Sequence, residues 1–261
     1  DEAIRAVEDI MVDEKFGNAG SQVVIEEFLD GVEASILSFT DSKVIVPLLS
    51  AKDHKKIGED ETGLNTGGMG VISPNPFVTD EIFEKFKSDI MEPTLKGMQS
   101  EGMDFEGVIF FGLMITKKGV YLLEYNMRMG DPETQAVLPL LENDLLELIE
   151  KSFEKKLLEV KVDWKPLHSC CVVAAAGGYP ESYKKGDEIT GVLDFNETDD
   201  NKVFICGAKV ESGKLLTNGG RVLNVVALGN TLEEAQKKAY ELLKTINFEG
   251  MYFRKDIGGR F

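Results

Sequence analysis

Glu124, Asn126 and Arg128 follow one another at two-residue spacing at the end of an apolar run, Val120-Tyr121-Leu122-Leu123. On a strand, residues two apart share a face at roughly 6–7 Å. Glu124 and Asn126 are therefore expected side by side, with Arg128 next if the strand persists. A carboxylate and an amide oxygen, with no His or Cys, suit a hard cation such as magnesium, which takes one or two carboxylates plus phosphate oxygens. Arg128 adds a fork of donors fitted to a phosphate or a developing oxyanion. Gly130-Asp131-Pro132 then breaks the strand, and Glu133 opens a helix. A bare E-x-N would equally suit an ordinary solvated strand end. The longer run E-x-N-x-R-x-G-D-P-E marks a site.

Several elements must position these side chains. Gly107–Thr116 is almost wholly apolar, as for a strand covered on both faces, and Lys117-Lys118-Gly119 turns it into the Val120–Asn126 strand. Gln22–Leu29 reads as a short β-rich run ending in acidic residues, with Glu26 and Glu27 before Phe28 and Leu29. Glu33–Thr40 and Lys43–Leu49 form a hairpin about Asp41-Ser42. The segment Ser50–Pro76 is long and poor in apolar residues, which points to a functional loop. It carries Asp53-His54-Lys55 and then Asn65-Thr66-Gly67-Gly68-Met69-Gly70, whose glycines would let the backbone approach a ligand and turn successive N–H donors toward an anion. Asp1–Phe16 reads as an amphipathic helix with Ile4, Val7, Ile10 and Met11 on one stripe. Thr79–Glu101 is a helix that Pro93 should kink or end. Gln135–Leu141 and Asp144–Leu158 are helices, with Leu145, Leu148, Ile149 and Phe153 on the core side of the second.

Past a linker at Glu159–His168 the pattern changes to short strands, Ser169–Ala176, Val203–Val210 and Gly220–Leu228. Thr231-Leu232-Glu233-Glu234 then forms a capping box for a helix to about Thr245. This region has glycine-rich turns and no catalytic constellation, so it reads as a supporting domain. Lys184-Lys185-Gly186 and Gly219-Gly220-Arg221 are the places where it would touch substrate.

The 261 residues allow two domains, and 43% hydrophobic and 29% charged residues describe a globular chain. A net charge of −17 argues against a nucleic-acid or membrane-surface binder, while leaving a metal-assisted nucleotide site possible. No apolar run approaches the roughly 20 residues of a bilayer span, and no signal-peptide pattern opens the chain. The three cysteines, Cys170, Cys171 and Cys206, make neither a disulfide framework nor a zinc spacing. Cys170 and Cys171 are expected as small core residues in a protein of cytoplasmic composition.

In order and spacing, VVIEEFLDGVEAS at 23–35, DHKK at 53–56, LNTGGMG at 64–70 and EYNMRMGDPETQ at 124–135 resemble the glycinamide ribonucleotide synthetase (phosphoribosylamine–glycine ligase) family of ATP-grasp enzymes. KGDEITG at 185–191, NGGRVLNVVALG at 218–229 and FRKDIGGR at 253–260 extend the resemblance along the whole chain. It implies an α+β ATP-grasp fold. Residues 1–29 would be the remainder of the lid subdomain, 30–158 the central catalytic subdomain and 159–261 a smaller α+β domain. It also implies ATP and Mg²⁺ or Mn²⁺ as cofactors, with glycine and 5-phosphoribosylamine as substrates joined through glycyl phosphate. Glu124 and Asn126 would be the metal ligands, and Arg128 would face the phosphoryl and acyl groups. Glu26, Glu27, Phe28 and Leu29 would frame the adenine, and Glu33 would hold the ribose. Asp53, His54, Lys55, the loop Asn65–Gly70, Asp131 and Glu133 would contact substrate.

Three departures accompany the resemblance. Family members carry an N-terminal α/β domain and a lysine-bearing, glycine-rich lid loop that this sequence lacks. The 261-residue chain alone is therefore expected to be inactive and to need the missing N-terminal part of the enzyme as its partner. The strand before E-x-N offers no further metal carboxylate. Lys52 stands where the family usually has glutamine. The alternative reading is a non-catalytic ATP-grasp module without nucleotide affinity; a ligase for another carboxylate is a weaker third.

Overall fold

The computed structural model describes residues 2–193 and 195–259. Asp1, the first residue of the expected helix, and Arg260, in the FRKDIGGR match, lie outside them. The chain folds as two units, Asp1–Asp30 and Gly31–Phe261.

The first unit holds helix α1 (Glu2–Met11) and a 3₁₀ turn at Gly17–Ser21. Helix α1 is amphipathic as its spacing predicts, yet none of its side chains is buried and Ile4 is 61% exposed. The strand expected at Gln22–Leu29 does not form. Its β propensity is high, but a strand is completed by a partner ladder, and none pairs with it among the described residues.

The second unit is built on β1 (Val32–Asp41), β2 (Ile45–Asp53), β3 (Lys56–Gly58), β4 (Thr62–Asn65), β5 (Gly70–Ser73), β6 (Glu106–Thr116) and β7 (Gly119–Asn126). These are followed by β8 (His168–Ala175), β9 (Asn201–Ile205), β10 (Ala208–Glu211), β11 (Lys214–Thr217) and β12 (Arg221–Gly229). Eight of them form one antiparallel sheet, β7-β6-β1-β2-β5-β8-β12-β9, and β3-β4 and β10-β11 are separate hairpins. The sheet runs without a break from the strands before residue 159 into those after it. The division at 158/159 is proposed as one of sequence pattern.

Helices cover both faces. One face of β1 and β6 packs Ile36, Phe111 and Leu113 against Phe86 and Ile90 from α2 (Asp80–Phe86) and the turn that follows it. The other packs Leu37, Phe39 and Phe110 against α4 (Glu133–Val137) and α5 (Leu145–Phe153). Double coverage explains why Gly107–Thr116 lacks polar alternation. Cys170, Val172 and Val225 meet α6 (Leu232–Leu243) in a third core. The two adjacent cysteines are fully buried, as expected, and burial pushes the Cys170 thiol up to about 12. Thr231 caps α6 as predicted, accepting from the Glu234 N–H at 3.2 Å, while the Glu234 carboxylate turns back to the Asn230 N–H at 2.9 Å.

Two element expectations are corrected and one is resolved. Of the kink or end expected at Pro93, the helix does not end but is interrupted just before it. A π-turn at Lys87–Met91 lets the Glu92 N–H reach the Lys87 carbonyl, and Pro93 falls in the first turn of α3 (Glu92–Ser100), where a missing N–H costs nothing. Helix α5 stops at Phe153, and that side chain is 68% exposed, outside the core stripe. The single strand expected over Val203–Val210 divides into β9 and β10 at Gly207. A Cβ there would lie 2.4 Å from the Arg221 carbonyl oxygen and 2.7 Å from Gly219 Cα.

Candidate active site

The β6–β7 ladder pairs Leu113 with Leu122 but Gly112 with Glu124, leaving Leu123 as an extra residue in β7. Such a bulge changes which face each later side chain takes. Before it, Val120 and Leu122 pack on the α2–α3 face. Beyond it Tyr125 takes that face, its ring 5.6 Å from Phe111 and its hydroxyl 2.7 Å from Thr94 Oγ1. Glu124 and Asn126 are thereby turned to the opposite face, paired with Gly112 and Phe110. Glycine at 112 makes room, since a Cβ there would meet Glu124 Cγ at 2.9 Å. Asn126 Nδ2 donates to Glu124 Oε1 at 3.2 Å, and Arg128 Nη2 lies 3.5 Å from Asn126 Oδ1. Arg128 is exposed and also donates to the Met129 carbonyl at 3.0 Å. The three predicted residues therefore do stand together, and the Glu124 carboxylate and Asn126 amide oxygens form a donor set suited to a hard divalent cation.

A second cluster lies at the end of β2. Lys55 Nζ pairs with Glu33 Oε2 at 2.8 Å, and Asp53 and Glu124 are its further acidic neighbours. Burial opposes the Lys55 charge, but Glu33 outweighs it and raises its pKa. Asp53 is 8% exposed, and one of its carboxylate oxygens, Oδ1, has no hydrogen-bond partner. Burial, and then the nearby Glu133 carboxylate, push the Asp53 pKa well above its ordinary 3.8. Burial raises Glu133 as well, against its own N–H and Lys55. Backbone glycines close over both carboxylates. A Cβ at Gly68 would stand 2.8 Å from Asp53 Oδ1, and one at Gly130 would stand 2.4 Å from Glu133 Oε2.

The expected triplet Asp53-His54-Lys55 is split. Asp53 and Lys55 face Glu33, Glu124 and Glu133, whereas His54 faces Lys52, Arg254 and Asp256. His54 is not a solvated loop residue. It is buried, its Nδ1 lies 3.0 Å from the Gly70 carbonyl, and burial followed by Lys52 lowers its pKa to about 3. Lys52, where the family usually has glutamine, has its Nζ 3.4 Å from His54 Nε2, so the departure bears on this buried side of β2.

The glycine loop also differs from expectation. Its N–H groups are not turned outward to an anion. Thr66 donates to Lys55 O (2.8 Å), Gly67 to Tyr179 Oη (2.9 Å), Gly68 to Thr66 Oγ1 (3.0 Å) and Met69 to His54 O (2.9 Å). Met69 is fully buried, and Gly70 belongs to β5. Asn65 and Gly67 remain exposed and Thr66 partly so. Asp131 is exposed at the turn, held by Gln135 and Arg221. Glu26, Glu27, Phe28 and Leu29 lie in the first unit as exposed or half-exposed chain without regular structure; Phe28 is 89% exposed. Tyr179 and Arg221 reach the glycine loop from more than a hundred residues away. Arg221 stands in the Gly219-Gly220-Arg221 turn expected to touch substrate, whereas Tyr179 carries no such expectation.

Asp53→Asn is expected to stabilise the unliganded protein at pH 7 by about 1 kcal/mol, because it removes a buried carboxyl that must either hold a proton or ionise without solvation, while keeping its shape. The sign follows from the raised pKa. From about pH 4 upward the native state holds a proton that the unfolded state has released, so wild-type stability falls as pH rises through that window. Urea midpoints from pH 4 to 8 should therefore diverge in favour of the variant as pH rises; a constant gap would show that Asp53 is not the titrating group.

An antiparallel sheet whose edge hairpin β6–β7 presents a carboxylate and an amide, with helices on both faces, is the architecture of an ATP-grasp protein. The biotin carboxylase domain of Hydrogenobacter thermophilus 2-oxoglutarate carboxylase, solved with MgADP and bicarbonate, aligns over 95% of this chain and 53% of its own with a TM-score of 0.70. At 12% identity that likeness is one of fold alone. Residues 1–134 match the phosphoribosylglycinamide synthetase ATP-grasp (A) domain, and residues 169–260 match the C domain of the same family. The chain belongs to the phosphoribosylglycinamide synthetase family. It is 58% identical to the phosphoribosylamine–glycine ligase of Fusobacterium nucleatum and 54% identical to that of Clostridium acetobutylicum, in each case over 98% of this chain and 61% of the relative. The crystal structure of the Thermotoga maritima enzyme of that name aligns with a TM-score of 0.80 at 35% identity, covering 89% of this chain and 57% of that one. The chain thus spans about three-fifths of the length of these curated relatives.

Proposed function

We propose that the protein of which this chain is part joins glycine to 5-phosphoribosylamine at the expense of ATP, giving glycinamide ribonucleotide, ADP and phosphate. The observation that carries this reading is the bulge at Leu123, which brings Glu124 and Asn126 to the face from which Glu124 acts on Lys55, beside Asp53 and Glu133. In the first step a glycine carboxylate oxygen attacks the γ-phosphorus of ATP and the bond to ADP breaks. In the second the amine nitrogen attacks the acyl carbon, phosphate leaves, and the nitrogen loses a proton. Both steps need charge neutralisation and positioning more than covalent help.

Each group has a part to play. Glu124 and Asn126 would hold Mg²⁺ or Mn²⁺, which when bound neutralises phosphate oxygens. Arg128, exposed and free to swing from its contact with Asn126, would stabilise charge on the transferred phosphoryl or acyl group. Glu33 would hold the ribose, and Asp53, Lys55 and Glu133 would line the side where the organic substrates meet, with Asn65–Gly70 bordering it. Glu26–Leu29 would frame the adenine. A non-catalytic module is the less favoured reading, given the intact E-x-N-x-R strand and the family membership.

The test is a glycine- and amine-dependent ADP-release assay on the full-length enzyme, with the product identified by mass. ADP release that ignores glycine would remove the proposal. In the same assay Arg128→Lys should lower kcat more than it raises the KM for ATP, since lysine keeps the charge and loses the fork. A change confined to KM would make Arg128 a ground-state binder.

A further inference from the structure

The glycine loop is held in place by the distant C-terminal segment. Arg221 Nη1 donates to the Gly67 carbonyl at 2.5 Å and to the Asp131 carbonyl at 2.6 Å, so one nitrogen ties the loop to the turn that follows the β7 carboxylates. The Tyr179 hydroxyl accepts the Gly67 N–H at 2.9 Å. Its ring reaches that position because residue 220 is glycine: a Cβ there would lie 2.3 Å from Tyr179 Cδ2 and 3.0 Å from Tyr183. The same segment grips the β3–β4 hairpin behind the loop. Tyr252 donates to the Ile57 carbonyl at 2.7 Å, and the buried Arg254 donates to the Lys56 carbonyl at 3.0 Å. Asp256 accepts the Asp60 N–H at 3.0 Å. On its inner side the loop closes over Asp53, where Gly68 stands against the carboxylate and Pro132.

We propose that Tyr179 and Arg221 are positioning residues: they fix the glycine loop against the Asp131 turn and so set where the organic substrates lie relative to Asp53, Lys55 and Glu133. The inference rests on the ligase reading above for what is positioned, and on the geometry alone for the clamp. Neither residue hydrogen-bonds to Glu124, Asn126 or Arg128 among the described residues, so loosening the clamp should disturb glycine or the amine and spare the nucleotide.

Full-length enzyme carrying Tyr179→Phe, Arg221→Met or Arg221→Lys provides the test, read by amide hydrogen exchange of the 65–70 segment without substrates and by separate KM values for ATP, glycine and amine. Loss of one hydrogen bond should speed exchange at Gly67 in Tyr179→Phe by about threefold to tenfold. The KM for glycine or for the amine should rise by a similar factor while that for ATP stays within about twofold. Arg221→Met should do more, because it frees both carbonyls, and Arg221→Lys should recover part of the loss, because a single nitrogen makes both contacts. Unchanged exchange would overturn the clamp, and an ATP KM rising in step with the others would overturn its selectivity. A wild-type enzyme without ligase activity would remove the proposed function, while the exchange data would still decide the clamp.

Discussion

Glu124→Gln in the full-length enzyme is expected to lower turnover by about three orders of magnitude, the equivalent of about 4 kcal/mol of transition-state stabilisation. The substitution is isosteric at an exposed position, keeps an oxygen for the Asn126 amide to donate to, and adds no atom toward Gly112. Folding should therefore be untouched, and the loss should come from the missing negative charge. Two readouts separate this from a general defect. Direct Mn²⁺ binding, followed by the ion's paramagnetic signal, should weaken, while the urea midpoint should match wild type. Turnover within threefold of wild type across a magnesium titration would end the assignment of Glu124 as a metal ligand.

The second large effect concerns His54 and acid stability. Its pKa falls from an ordinary 6.5 to about 3 in the folded protein, first through burial and then through Lys52. A depressed folded pKa means that below 6.5 the unfolded chain takes up a proton the native state refuses, so stability is lost as pH falls toward 3. Each full unit of this window is worth about 1.4 kcal/mol, and the loss between pH 6 and 4.5 should be about 2 kcal/mol. Asp53 and Glu133 have raised pKa values and contribute the opposite slope, so the raw wild-type profile partly conceals the effect. The stability difference between wild type and His54→Gln isolates it. That difference should shrink on acidification by about 2 kcal/mol over those 1.5 pH units, as measured by urea denaturation. A difference independent of pH would mean that His54 is protonated in the native state.

Asp53, His54 and Lys55 are adjacent in sequence and polar, so they invite a single role. Strand alternation sends Asp53 and Lys55 one way and His54 the other, and only the first two join the acidic cluster. His54 instead supports β5 through the Gly70 carbonyl.

Local chemistry made much of the chain legible. Two-residue spacing made Glu124 and Asn126 neighbours, and the β1–β2 and β6–β7 hairpins followed from short polar turns between apolar runs. The helix after Thr231 followed from its capping residues. Each of these signals acts within a few residues, where side-chain period and turn chemistry operate.

The tertiary structure decided everything that depends on which strand pairs with which, and in what register. The sequence alone determined that Glu124 and Asn126 share a face, but the bulge at Leu123 chose the face, because register belongs to two strands at once. High β propensity could not make a strand of Gln22–Leu29 without a partner ladder. The glycine loop looked like a set of free N–H donors until Tyr179, the His54 and Lys55 carbonyls and the loop's own Thr66 claimed them, and no local signal reports a hydrogen bond made across 112 positions of chain.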